Sequence, residues 1–437
     1  MLYEEEIEIE ECLENIPDRD LITSARHKQL SEKNRKVISS FLGKGQRAVE
    51  GMSTPWYYRD FTAWMVKNCL TQEGWKTISE YGYIQTKPVY RDIETGYDRK
   101  ESCLISGQML VERGDEKVLV TVDLRKIPVN YVQVEVAKSQ EVIVRQLIRA
   151  LENSFSKQNF YFGQAITLAG DGVRFIKSGY RMWDSIILDP ELKETIRRHT
   201  VEFLRHADRW TQHGIPVKRG IILAGKPGTG KTVICKALMS EAKGITCLLA
   251  NAYSAERDEY FANLYSIAQD LAPCIVFIED LDLVGQERIW GGYHGTPQLI
   301  ALLAEMDGIT EKDRIVTVAT TNNADTLDEA LSKRPGRFER VINILPPSAN
   351  LRALQIETLM SKIPLSNDLK DYLVRRTEGF SPAQVQETVF GLVINNEEEV
   401  QGNTEALTQA DVDRSIMEVK HSKDKVLGFN KINNVRF

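Results

Sequence analysis

The stretch Gly225-Lys226-Pro227-Gly228-Thr229-Gly230-Lys231-Thr232 restricts what this chain can fold into more than any other feature. Its spacing is GxxxxGK[ST], which cradles phosphate only when a buried strand precedes it and a helix follows. Both flanks are present: Ile221–Leu223 is apolar, and 232–242 reads as a helix. The glycines let the backbone turn its N–H groups toward the β- and γ-phosphates, and the following helix adds its positive end. Lys231 is expected to neutralise phosphate charge, and the Thr232 hydroxyl to bind Mg²⁺. A chance glycine loop is the competing reading, and it leaves the ordered strand and helix unexplained.

Around this loop the chain alternates strands with helices. Apolar runs at 246–250, 274–278, 315–320 and 341–345 are separated by helical stretches such as 256–271. That alternation predicts a parallel sheet with helices on both faces. Asp189-Pro190 supplies an N-cap and first-turn proline for a helix running toward Trp210. After Pro346-Pro347 the strands stop, and Leu351, Leu354, Ile356 and Leu359 suggest a helical lid. Before residue 181 the pattern is mixed. Met109–Leu124 reads as two strands around the turn Arg113-Gly114-Asp115-Glu116, Val132, Val134 and Val136 alternate as in a strand, and 141–157 is amphipathic at helical spacing. The expected fold is an α/β P-loop NTPase core with a parallel sheet, a C-terminal helical lid and an N-terminal α+β accessory domain. Its boundaries are drawn at 1–50 (charged segment), 51–180 (accessory), 181–347 (core) and 348–437 (lid).

Charge and composition exclude several classes. A net charge of −6 argues against bulk electrostatic binding to nucleic acid. The charge is polarised at the start: nine acids against Arg19 in residues 1–20, then seven bases against two acids in 21–50. A solvated tail or an interaction tail accounts for both runs. No apolar run approaches the ~18–20 residues that span a bilayer, and the acidic opening is unlike a signal peptide; a cytoplasmic location is expected. Cys12, Cys69, Cys103, Cys235, Cys247 and Cys274 form no CxxC pair, and three of them sit in apolar stretches of the core as small hydrophobes. The six histidines show no metal spacing and no HExxH occurs, which argues against structural zinc and a zinc protease.

Three further features complete the candidate site. Cys274–Ile278 is a buried strand that runs into Glu279-Asp280, 48 residues after Lys231, where a carboxylate pair is expected to serve Mg²⁺ and the attacking water. Asn322 follows the strand Ile315–Thr320, within reach of a γ-phosphate or the water; the plainer reading is a turn residue. Arg334-Pro335-Gly336-Arg337-Phe338 puts two arginines on a turn, otherwise a solvated basic loop.

Taken together, 181–420 resembles the AAA ATPases. The stretches from Thr321-Asn322 to Asp328, and from Arg334 to Arg340, look like the family's second region of homology. The resemblance implies ATP and Mg²⁺ as cofactors and Asn322 as the first sensor. It makes Arg334 and Arg337 fingers that reach a neighbouring subunit's ATP, hence a homo-oligomeric ring of six or seven subunits. It makes Lys226, Pro227, Gly228, Thr229, Val233, Ile186 and Ala383 nucleotide contacts beside Gly225, Gly230, Lys231 and Thr232. Gly379-Phe380-Ser381-Pro382-Ala383 is similar to the family's GFSGA helix start, with proline for glycine. Ser185–Lys193, Phe203-Leu204, Trp210 and Gly214–Ile221 are similar to the branch of mitochondrial AAA translocases that insert the Rieske protein. Those translocases carry a membrane helix that this chain lacks, which implies a relative without that helix. Most AAA proteins also read Asp-Glu where this chain has Glu279-Asp280. The exchange puts Glu279 on Mg²⁺ and Asp280 on the water. Where unfolding motors carry an aromatic–hydrophobic–Gly pore loop, this chain has Asn251-Ala252-Tyr253-Ser254, so Tyr253 is either a substrate grip or packing. The expected function is ATP-driven remodelling, as a chaperone or translocase, of a protein substrate that the sequence does not identify. The alternatives are a nucleic-acid-associated ATPase using the basic segment 26–47, and a slow nucleotide-gated scaffold.

Overall fold

The computed structural model describes residues 34–83, 87–96, 98–125, 129–176, 181–250, 259–282, 297–310, 313–322, 337–361, 366–396 and 407–421. The chain divides into two compact units, Met1–Phe160 with Asp171–Val173, and Tyr161–Gly170 with Arg174–Phe437.

The first unit opens with α1 (34–42), β1 (Arg47–Pro55) and α2 (Arg59–Gln72). β2 (Lys76–Tyr81), β3 (Val89–Gly96), β4 (Arg99–Arg113), β5 (Glu116–Asp123), β6 (Val129–Ala137) and α3 (Glu141–Lys157) follow. The sheet runs β1-β6-β5-β4-β2, with β3 also on β4, and every pairing is antiparallel. The expected hairpin is present: Arg113 pairs with Glu116 across Gly114-Asp115, and Gly114 takes φ +60°, which the tight turn requires. α3 spans the predicted interval and buries Val144, Leu147, Ile148 and Leu151, one turn apart along one face. Leu110 and Leu119 form a cluster with Leu42 of α1, so α1 covers part of the sheet.

The second unit contains β7 (Ala165–Ala169), β8 (Gly172–Phe175, whose first two residues are assigned to the first unit), α4 (Pro190–His199), α5 (Val201–Arg205), α6 (Ala207–Gln212), β9 (Lys218–Ala224), α7 (Lys231–Glu241) and β10 (Thr246–Ala250). α8 (Tyr260–Asp270), β11 (Cys274–Ile278), α9 (Pro297–Gly308), β12 (Ile315–Thr321) and β13 (Arg340–Asn343) complete the core. The strand order is β13-β9-β12-β11-β10-β7-β8, and the pairings of β13 through β7 are parallel. Every residue of β11 and β12 is buried, as continuous apolar strands require when both faces of a parallel sheet are covered.

Three expectations need correction. The boundary drawn at 180 falls after β7, which pairs in parallel with β10 and so lies in the sheet of the second unit. Five residues, Ala-Ile-Thr-Leu-Ala, are too few for periodicity to assign them to a distant sheet. The single helix expected from Asp189 to Trp210 is three. Asp189 caps α4, accepting from the N–H groups of Glu191 at 3.1 Å and Leu192 at 3.0 Å. The helix then ends at Thr200 (φ −119°, ψ −95°), whose hydroxyl donates to the Ile196 carbonyl at 2.7 Å. A threonine that bonds back to the i−4 carbonyl competes with helix continuation.

The third correction concerns the lid, α10 (Ala349–Leu359), α11 (Asn367–Arg376), α12 (Pro382–Ile394) and α13 (Gln409–His421). Ile356 is buried in the lid core, but Leu354 is 48% exposed. The buried face of α10 instead runs Arg352 and Ile356 and continues to its C-cap, Met360. Arg352 is admitted because its guanidinium donates to the carbonyls of Pro347 and Val374, which satisfies the buried charge.

Candidate nucleotide site

The loop after β9 is shaped by close approaches. A Cβ on Gly225 would stand 2.4 Å from the Ile344 carbonyl oxygen, so no other residue fits there without moving the backbone. Gly230 has φ +96° and serves as the N-cap of α7, a conformation glycine adopts without strain. The Thr229 hydroxyl donates to the Lys226 carbonyl at 2.9 Å and braces the turn between them.

Lys231 is only 6% exposed. Its Nζ donates to the carbonyls of Gly225 at 2.7 Å and Lys226 at 3.2 Å, and to Asn322 Oδ1 at 2.8 Å. All three ammonium protons are therefore directed at acceptors. Burial lowers its pKa, while Asp280 and Asp282 act in the opposite sense. Asn322 carries the network onward: its Nδ2 donates to Asp280 Oδ1 at 3.3 Å, and its backbone N–H donates to Asp282 Oδ1 at 3.2 Å. Residues 91 positions apart in the chain thus meet because β9 and β12 are neighbours and end side by side.

Asp280 has φ +50°, and its N–H donates to Thr320 Oγ1 at 3.0 Å. Aspartate tolerates the left-handed region better than most residues, and such conformations cluster at functional sites. The lid meets the loop directly. The Ala383 N–H donates to the Gly228 carbonyl at 3.2 Å, and a Cβ on Gly228 would lie 2.9 Å from Ser381 Oγ. Ser381 and Gln384 form a reciprocal capping box at the start of α12. Pro382 occupies the first helical position, where a missing N–H costs nothing. That accounts for proline at a position where the resembled motif has glycine.

A cavity of about 480 Å³ is enclosed by Ile186, the loop and helix start from Pro227 to Val233, Asp280, Asn322 and Ala383. Its size is that of small-molecule sites, roughly 300–1,000 Å³. The N-terminus of α7, a buried ammonium, the Thr232 hydroxyl and a carboxylate all face it, and that set suits a magnesium nucleoside triphosphate. Asp280 lines this cavity and Glu279 is not among its lining residues. Sequence reasoning missed Asp282, whose only signal was an acid two positions after Asp280. It also missed Gln355, Thr358 and Gln386, which line the cavity from the lid and carry no local signal.

Arg334 and Tyr253 lie outside the described residues. Arg337 is 8% exposed, and its Nε and Nη2 donate to Asp307 Oδ1 and Oδ2 at 2.9 and 2.5 Å. Its carbonyl oxygen lies 1.8 Å from where a Gly220 Cβ would stand. The guanidinium expected to extend toward a neighbour is instead engaged within its own chain, because a buried cation needs a carboxylate. Arg337→Ala and Asp307→Ala should each cost about 1–3 kcal/mol in urea unfolding. The double variant should be no worse than the more severe single one; simple additivity would show that the pair is not coupled.

Residues 221–345 match the ATPase family associated with various cellular activities (AAA), so the second unit holds an AAA ATPase domain, of the kind that binds ATP with Mg²⁺ and hydrolyses it. Curated relatives agree. The ATP-dependent zinc metalloprotease FtsH 3 of Sorangium cellulosum is 38% identical over 211 residues, 45% of this chain and 34% of that protein. FtsH of Mycoplasmoides gallisepticum is 36% identical over 233 residues, 50% of this chain and 30% of the relative. FtsH of Buchnera aphidicola from Acyrthosiphon pisum is 32% identical over 250 residues, 54% of this chain and 38% of the relative. The chain therefore spans about a third of the length of these relatives. Among the described residues no helix is long and apolar enough to cross a membrane.

Proposed function

We propose that this protein is a Mg²⁺-dependent ATPase that works as a ring of six or seven copies and remodels protein substrates, in the cytoplasm. The observation that carries the reading is the chain of contacts Lys231–Asn322–Asp280 inside one cavity closed by the lid. It gathers a cation, a polar amide and a carboxylate, the three functions that phosphoryl transfer to water requires.

In this reading Lys231 gives up the Gly225 and Asn322 oxygens and turns its protons to phosphate. Asn322, still held by Asp280, orients the attacking water, and Asp280 accepts that water's proton. Thr232 and Glu279 would hold Mg²⁺, which when bound would offset the negative charge of the phosphates. Arg334 reaches the neighbouring subunit. Ile186 and Ala383, which both line the cavity, contact the nucleotide. The first unit, which includes the charged segment, selects the partner.

The relatives named above are ATP-dependent zinc metalloproteases; we carry over ATP dependence alone, since no HExxH occurs in these 437 residues. Within the AAA proteins we favour the translocase branch, on the likeness of Ser185–Lys193 and Gly214–Ile221. The deciding measurement is what stimulates hydrolysis. Unfolded protein should raise turnover several-fold while single-stranded DNA leaves it unchanged. Stimulation by DNA alone would replace this reading with a nucleic-acid-associated one, and stimulation by neither would leave a nucleotide-gated scaffold.

A further inference from the structure

We infer that Asp282 is a positioning residue of the site, holding the backbone of Asn322 so that its side chain stays aimed when Lys231 lets go. The inference rests on the hydrolysis proposed above.

β12 ends at Thr321, whose ladder partner on β9 is Ala224, and its pairing with β11 stops at Ala319. The N–H of Asn322 therefore lies beyond the ladder. Asp282 Oδ1 accepts it at 3.2 Å. On the other side of the same peptide bond, the Thr321 carbonyl accepts from the N–H of Gly225 at 3.2 Å. One peptide plane is thus pinned at its carbonyl by the first residue of the phosphate loop and at its amide by Asp282. A peptide plane is rigid, so fixing both ends fixes the direction in which the Asn322 side chain leaves the strand.

The side chain has two holds of its own, Lys231 on the oxygen and Asp280 on the nitrogen. Phosphate competes with Asn322 for Lys231, and that hold is the one lost on binding. What remains is Asp280 on the amide nitrogen and Asp282 on the backbone. Without Asp282 the amide would pivot on one 3.3 Å hydrogen bond. Asp282 follows Asp280 by two residues, at the start of the helical segment after β11, so one short segment supplies both anchors. The ordinary alternative is a surface acid that tidies a strand end and has no bearing on turnover.

Three variants of the full chain separate these accounts. Asp282→Ala should lower kcat on the order of 10-fold to 10²-fold, as loss of positioning does, with KM and affinity for a non-hydrolysable ATP analogue within about twofold. Asp282→Asn should recover most of the loss, because its amide oxygen still accepts from the Asn322 N–H. Asn322→Ala combined with Asp282→Ala should be no slower than Asn322→Ala alone. Hydrogen exchange of nucleotide-free protein gives a readout free of activity: fragments covering 315–322 should exchange faster in Asp282→Ala and normally in Asp282→Asn. Unchanged exchange in Asp282→Ala would overturn the inference, as would a loss in Asp282→Asn equal to that in Asp282→Ala. A wild-type chain that neither binds nor hydrolyses ATP would instead overturn the proposed function, and exchange would still judge the backbone hold.

Discussion

Lys231→Ala should lose ATP binding altogether at concentrations where the wild-type chain saturates. The side chain is buried, directs all three protons at oxygen acceptors, and stands where the loop, Asn322 and the start of α7 converge. A hydrogen bond to a charged group contributes about 1.5–3 kcal/mol. Two such bonds to phosphate would account for an affinity change of roughly 10²- to 10⁴-fold. The fold should survive, because Gly225 is only partly buried and Lys226 is exposed, so their carbonyls can turn to water. Isothermal titration calorimetry with ATP and Mg²⁺ is the measurement. Wild-type affinity in Lys231→Ala would reject the assignment of the loop.

Asp280→Asn should bind ATP and fail to turn it over, with hydrolysis lower by about 10²- to 10⁴-fold, the usual contribution of a positioned base. The substituted amide oxygen can still accept from Asn322 Nδ2, so the network persists while the proton acceptor is gone. Near wild-type turnover in Asp280→Asn would move the role to Glu279. The exchanged order of these acids makes a second variant informative. Aspartate is one methylene shorter than the glutamate usual at this position, and a shortfall of about 1 Å can cost on the order of 10²-fold. We propose that the left-handed backbone of Asp280, with its N–H on Thr320 Oγ1, compensates for the shorter side chain. Asp280→Glu should therefore slow hydrolysis, since a longer side chain on that re-aimed backbone crowds the water. Faster hydrolysis in Asp280→Glu would show that the site had never compensated.

How much of this was legible differs by element. Strands β10, β11 and β12 and helix α7 could be read almost to the residue, because a strand buried on both faces is a continuous apolar run and the glycine pattern marks the turn before the helix. The hairpin at Gly114-Asp115 and helix α3 were legible for the same local reasons. Leu354 was misread because four apolar residues on α10 matched a helical stripe only loosely. Burial of Arg352 depends on carbonyls supplied by Pro347 and Val374, the latter from another helix. Thr200 was missed as a helix stop because threonine is also tolerated inside helices.

The chemistry of the loop was decided by the sequence alone: glycines where the backbone must bend, one lysine, one hydroxyl, and an acid pair at the end of a later apolar strand. Each is a local requirement on residue type, and local requirements survive without a fold. Which acid faces the cavity, where Asn322 points, what Asp282 does and where the Arg337 guanidinium goes were decided only by tertiary structure. These depend on strand order, which brings the ends of β9, β11 and β12 together, and on a carboxylate, Asp307, set 30 residues before Arg337 on helix α9. Spacing along a chain carries no information about which distant partner satisfies a buried charge.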